Sequence, residues 1–152
     1  MSFLNIDTRA PNFSLLDDSG KKRTLKEFLG KFVVIYFYPR DNTPGCTRQA
    51  CSIRDSYPDF EKYNTVIIGI SSDSVLSHKK FKEKYSLPFL LLSDPEKQII
   101  KKYKAIKQDN ISTMRISYLI DPQGKIIHVF PKVSPDIHGQ DLIEVLKSLQ
   151  VK

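Results

Sequence analysis

An α/β fold, with a central mixed β-sheet flanked by helices and a β-hairpin at the N-terminal end, is predicted by three features of the sequence. Residues 32–38 and 66–70 are apolar without polar alternation, as strands covered on both faces require. Lysine-rich segments with helical spacing of apolar residues alternate with them. Late in the chain, Asp121-Pro122-Gln123-Gly124 separates two further strand-like runs, the pattern of a hairpin.

Taken in order, residues 12–16, the turn Asp17-Asp18-Ser19-Gly20 and residues 21–25 read as strand, tight turn and return strand. Gly30 ends a brief helix over 25–29. The run 32–38 is β-branched and aromatic, and Pro39 stops it. A loop of turn formers, 40–45, leads to a helical segment over 46–57, and Pro58 implies a break before residues 60–63. A second buried strand follows at 66–70. Residues 74–85 place Val75, Leu76, Phe81 and Tyr85 among lysines, as an amphipathic helix would. A third strand is expected at 87–92. A helix from Asp94 to about Tyr103 is expected to carry Pro95 at its first position. Residues 105–113 lack a pattern and are read as a loop. The hairpin strands are 116–120 and 125–130, and a last helix over 140–149 buries Leu142, Val145, Leu146 and Leu149. No repeat or linker interrupts the 152 residues, so a single domain over 1–152 is expected.

Composition narrows the functional classes. A chain of this length buries roughly 70% of its unfolded surface and needs no disulfide or metal staple. Two cysteines are too few for a disulfide scaffold or a four-thiolate metal site, so Cys46 and Cys51 matter, if at all, through reactivity. No cofactor or metal is expected. The apolar runs are far shorter than the roughly 20 residues of a membrane-spanning helix. Residues 1–16 lack the basic and apolar regions of a secretory signal, so a reducing cytosol is the expected compartment. The net charge of +7 raises nucleic acid or an anionic membrane as partners. The lysines are interleaved with apolar residues at helical spacing, however, and read as solvated helix faces. Neither partner is expected.

The chemistry is concentrated in residues 38–51. Thr43 suits a helix N-cap and Pro44 the first helical position, which puts Cys46 in the first turn. Free backbone N–H groups and the positive end of the helix dipole there favour a thiolate, the reactive form of cysteine. Gly45 has no side chain to bar a substrate from those N–H groups. The position is the carboxyl end of a buried strand, where ligands of open α/β sheets bind.

These residues resemble those of the peroxiredoxins, and within them the bacterioferritin-comigratory-protein or Q-type thiol peroxidases. The family's P-x-x-x-T-x-x-C motif is matched by Pro39, Thr43 and Cys46, and the subgroup's second cysteine by Cys51. Similarity extends to Ala10-Pro11-Asn12-Phe13, to Gly69-Ile70-Ser71-Ser72-Asp73-Ser74 with Ser77-His78, to Leu87-Pro88-Phe89, and to Arg115 with the 120–124 hairpin turn. Arg40 stands where the family often has lysine. The resemblance implies a thioredoxin-like fold and reduction of hydrogen peroxide or alkyl hydroperoxides. It assigns Cys46 as the peroxidatic thiolate, Cys51 as the resolving thiol that closes an intramolecular disulfide, and Thr43 as a hydroxyl offered to thiolate and peroxide. Arg115 would favour the thiolate and the charge on the breaking O–O bond, and Pro39 would shield the site from water. The disulfide would be recycled by thioredoxin or a similar dithiol, and an internal disulfide is compatible with a monomer. Arg48 and Arg54, nearer in sequence, are read as helix-surface charges.

Two other readings compete. General thiol–disulfide exchange is weakened by the absence of C-x-x-C, and a basic non-catalytic module by the layout of the lysines. His78, His128 and His138 show no metal-ligand spacing and are read as structural or solvated. Five residues along an α-helix give about 7.5 Å of rise and about 140° of rotation, so the two thiols lie on different faces. A disulfide needs Cα atoms within about 7 Å, so the first turns must unwind for it to form. Amide hydrogen exchange across residues 44–54 is therefore expected to be faster in the oxidised protein than in the reduced one; unchanged protection, with the disulfide confirmed by mass, would contradict this.

Overall fold

The run 32–38 enters the interior of a seven-stranded sheet, and its two faces seed two separate cores. The computed structural model describes residues 3–150; Met1, Ser2, Val151 and Lys152, part of the expected 1–152 domain, lie outside the described residues. The strands are β1 (Ser14–Asp17), β2 (Lys22–Thr24), β3 (Phe32–Phe37), β4 (Thr65–Ser71), β5 (Leu90–Ser93), β6 (Ile116–Ile120) and β7 (Ile126–Phe130), in the spatial order β2-β1-β5-β4-β3-β6-β7. β3 pairs parallel with β4, and β4 parallel with β5; the remaining pairs are antiparallel. The sheet is therefore mixed, and β1–β2 is the expected N-terminal hairpin.

Parallel neighbours need crossovers, which the helices supply. α1 (Pro44–Asp55) and α2 (Tyr57–Lys62) join β3 to β4, and α3 (Val75–Tyr85) joins β4 to β5. α4 (Gln98–Lys102) and α5 (His138–Gln150) follow β5 and β7. Val33, Ile35 and Phe37 point to one face, where they meet Ile99, Ile100 and Tyr103 of the α4 region. Val34, Tyr36 and Tyr38 point to the other and pack with Ala50 and Ile53 of α1, Phe81 of α3, and Leu142 and Leu146 of α5.

Several boundaries differ from expectation for local reasons. The 46–57 helix starts two residues earlier and breaks at Ser56, and Pro58 sits in the first turn of α2, where its missing N–H costs no bond. Pro95 is not at a helix start. Asp94 instead accepts bonds from the backbone N–H groups of Gln98, Ile99 and Ile100, and Lys97 adopts a left-handed conformation ahead of α4. The third strand shortens to Leu90–Ser93, and the 25–29 helix is a 3-10 turn over Leu25–Phe28. The last helix begins at His138, after a 3-10 turn at Pro135–Ile137. The 105–113 stretch is the expected loop, pinned by a bridge between Ile106 and Thr113.

α5 lies tightly against α1. The N–H of Gly139 donates to Ser52 Oγ at 2.9 Å, and a Cβ at Gly139 would run into the Ser52 carbonyl, a backbone atom that cannot swing aside. Gly139→Ala is accordingly expected to destabilise the fold by about 1–3 kcal/mol, as overpacking at a rigid contact does, measured as a lowered urea midpoint with an unchanged slope.

Candidate active site

The site is built where β3 ends. Tyr38 continues the strand with a backbone bond to Ile70, Pro39 and Arg40 are exposed, and Asn42 takes a left-handed turn at φ 61°, which asparagine tolerates. Thr43 is the extended N-cap of α1, and its carbonyl accepts the first helical bond, from Thr47 N–H. The expected side-chain cap is not made: the Thr43 hydroxyl donates back to the Arg40 carbonyl at 3.0 Å and so tightens the loop. Pro44 stands at the first helical position as expected. The N–H groups of Gly45 and Cys46 come before the first intrahelical donor, Thr47, and so have no acceptor within α1 and can face an anion.

Cys46 is 2% exposed and Cys51 is half-buried, and both are free thiols on one continuous helix. Arg115 arrives from across the sheet. β6 pairs antiparallel with β3, Ile116 opposite Phe37, so the residue before Ile116 lies beside the strand end from which α1 starts. Its Nη1 donates to Cys46 Sγ at 3.4 Å and to Gln49 Oε1 at 2.6 Å. The guanidinium thus offers the sulfur a charged hydrogen-bond donor. Gly45 serves this approach: a Cβ there would lie 3.1 Å from Arg115 Nη2, so the missing side chain makes room for the guanidinium.

The residues singled out in the sequence thus fall into two groups. Cys46, Gly45 and Arg115 are in mutual reach, with Thr43 at the head of the same helix. Pro39 lies exposed one residue beyond the buried Tyr38. Arg48 pairs with Asp136 at 2.7 Å on the surface, and Arg54 bonds Asp55 and the Tyr85 carbonyl, so neither serves the thiol.

Sequence reasoning missed Gln49, fully buried three residues after Cys46. The i, i+3 spacing was the available signal, since it places both side chains on one helix face. It also placed His78 and His138 among structural or solvated residues without distinguishing the two cases. Both are fully buried. His138 Nε2 faces Ser117 Oγ at 2.8 Å, and its ring stands edge-on to Phe130. Its Nδ1, Gln49 Nε2 and Tyr36 OH are buried polar atoms without a hydrogen-bond partner among the described residues. Burial, and then the charge of Arg115, push the imidazole down to about 4.

Comparison with known proteins gives concordant results. The AhpC/TSA family model matches residues 6–129. Peroxiredoxin Bcp of Bacillus subtilis is 39% identical over 155 residues, covering 98% of this chain and 99% of that protein. The chloroplastic peroxiredoxin Q of Oryza sativa subsp. japonica is 43% identical over 143 residues; the match takes in 92% of this chain but spans 65% of the rice protein. Among solved structures, a Xanthomonas campestris bacterioferritin comigratory protein, described for its alkyl peroxide reduction activity, superposes with a TM-score of 0.86 at 31% identity, covering 90% of this chain and 91% of that one. A Xylella fastidiosa PrxQ variant does so with 0.90 at 29%, covering 98% and 99%. The architecture is thus thioredoxin-like, as the resemblance implied.

The buried His138 sets a pH dependence. Its folded value lies below the ordinary 6.5, so between those values the unfolded chain binds more protons and stability falls as pH drops. About 2 kcal/mol should be lost between pH 7 and pH 5 from this residue. Urea unfolding of His138→Asn is expected to show that much less change over the same interval; an equal change would exclude the assignment.

Proposed function

The chain belongs to the AhpC/TSA family, in the Bcp/PrxQ group of peroxiredoxins, and from that premise we propose that it is a thiol peroxidase acting through Cys46. The observation that carries the reading is the Arg115 N–H directed at Cys46 Sγ in the first turn of α1, with a second free thiol five residues on.

Cys46 thiolate attacks one oxygen of hydrogen peroxide or an alkyl hydroperoxide. The S–O bond forms as the O–O bond breaks; sulfur is oxidised to sulfenic acid, and the departing oxygen leaves as hydroxide or alkoxide and takes a proton to become water or alcohol. Arg115 and the free N–H groups of the α1 N-terminus stabilise negative charge as it moves from sulfur to oxygen. Thr43, at the mouth, offers its hydroxyl to the peroxide by turning from the Arg40 carbonyl. Pro39 ends the strand and forms the outer lip that limits water access. Cys51 thiol then displaces water from the sulfenic acid, giving the Cys46–Cys51 disulfide, and a dithiol such as thioredoxin takes up the oxidation by exchange.

Because the disulfide is internal, a monomer suffices, and residues 1–152 act as one domain. Among the described residues no helix is long and apolar enough to cross a membrane. The dithiol-dependent cycle fits a reducing compartment such as the cytosol.

Intact mass after one equivalent of peroxide tests the sequence of events. Wild type should lose two hydrogens, Cys51→Ser should gain one oxygen and need an external thiol to turn over, and Cys46→Ser should not react. Peroxide consumption undiminished in Cys46→Ser would refute the proposal.

A further inference from the structure

Behind the reactive-thiol loop lies a hydrogen-bond network that the chemistry above does not use. Asp41, 8% exposed, sits in the loop between Tyr38 and Thr43. Its Oδ1 accepts the Tyr38 hydroxyl at 2.5 Å, and its Oδ2 accepts Ser77 Oγ at 2.8 Å and faces His78 Nδ1 at 2.7 Å. His78 is fully buried, and its Nε2 faces the Leu92 carbonyl at 2.9 Å. The Asp41 backbone N–H donates to Asp73 Oδ2 at 2.8 Å, which also accepts Ser71 Oγ at 2.6 Å.

The ring of His78 thus lies between two acceptors. A backbone carbonyl can only accept, so Nε2 carries a proton. Nδ1 faces Asp41 Oδ2, which also accepts from Ser77, so one hydrogen bond joins the ring to the carboxyl group. The contact is a buried hydrogen bond between an imidazole and a carboxyl group. Asp41, Asp73 and His78 bring three possible metal-ligating atoms within 4.8 Å of one another. These atoms are already occupied by internal donors and acceptors, so the cluster reads as a closed clamp rather than a cation site.

We propose that Asp41 and His78 are positioning residues for the thiol peroxidase reaction: the hydrogen bond between them anchors the loop bearing Thr43 and the N-terminus of α1 to α3 and β5, and so holds Cys46 and Thr43 in the geometry that peroxide attack requires. The anchor sits on α3 and on the β4 end at Asp73, outside the helix that carries the thiols. Unwinding of α1 therefore leaves it in place and gives the loop a fixed point to return to. This inference rests on the peroxidase reading, and misplacing reacting groups by an ångström can cost about 100-fold in rate.

Two reactions of the same sulfur separate positioning from folding. Peroxide oxidation of Cys46 requires oriented partners, whereas alkylation by iodoacetamide requires an accessible thiolate. In Asp41→Asn and in His78→Gln, single-turnover oxidation by hydrogen peroxide is expected to slow at least about tenfold while alkylation stays within about threefold, with the double variant no slower than the slower single because both remove one tie. An unchanged peroxide step in folded variants, or an equal fall in both reactions, overturns the proposal. A wild type that does not react with peroxide would instead refute the peroxidase reading. The ring-region proton resonances of His78 in reduced wild type decide the clamp without any activity and without variants that might not fold: a slowly exchanging, hydrogen-bonded proton in the Asp41–His78 contact is expected, and a contact whose proton exchanges freely with solvent overturns it.

Discussion

The contact between Arg115 and Cys46 Sγ depends on strand register, and much of the molecule is arranged so that this register holds. β6 is antiparallel to β3 with Ile116 opposite Phe37, so the start of one strand meets the end of the other at the point where α1 begins. A shift of one residue would turn every side chain of β6 to the opposite face. The shift is opposed by burial: all five residues of β6 are buried, with Ile116, Tyr118 and Ile120 in one core and Leu119 in the other. Long-range packing thus aims a guanidinium at a sulfur 69 positions away in sequence.

Around that contact, the polar groups divide into two sets of different character. Gln49 holds Arg115 with a neutral amide, which leaves the guanidinium's charge uncancelled beside the thiol. Farther from the sulfur, the Asp41–His78 contact ties the loop to α3 through a buried hydrogen bond. The charge beside the sulfur has no carboxylate partner among the described residues, and the groups that hold shape are satisfied by one another. His138 is kept in its neutral form by burial and by the nearby cation, so it adds no competing charge.

The elements legible in the sequence were those set by local pattern. The β3 and β4 runs, the hairpins, and the Thr43-Pro44-Gly45-Cys46 helix start all declare themselves through β-branched content, turn residues and capping preference. Capping chemistry misled where a tertiary or loop contact offered a better partner. The Thr43 hydroxyl donates its hydrogen bond to the Arg40 carbonyl, and Pro95 yielded the helix start to a carboxylate at Asp94 that accepts from three N–H groups. Arg115 was found through family resemblance, since nothing local to residue 115 points to residue 46. Gln49, Asp41 and His78 belong to a class that pattern reading handles poorly. Their significance lies in which polar atom faces which, and that is decided only when β3, α1 and α3 have packed.

The sheet also acts as a partition. Cys46, Cys51 and the helices α1, α3 and α5 are on one face, while the apolar cluster around Ile35, Phe37, Ile100 and Tyr103 is on the other. Tyr103 and Tyr118 stitch that second cluster to the chain, with the Tyr118 hydroxyl donating to the Tyr103 carbonyl and the Tyr103 hydroxyl to Pro11. None of its members comes from α1. Unwinding of α1 would therefore break packing on the first face alone, and the second cluster would serve as a keel for the chain.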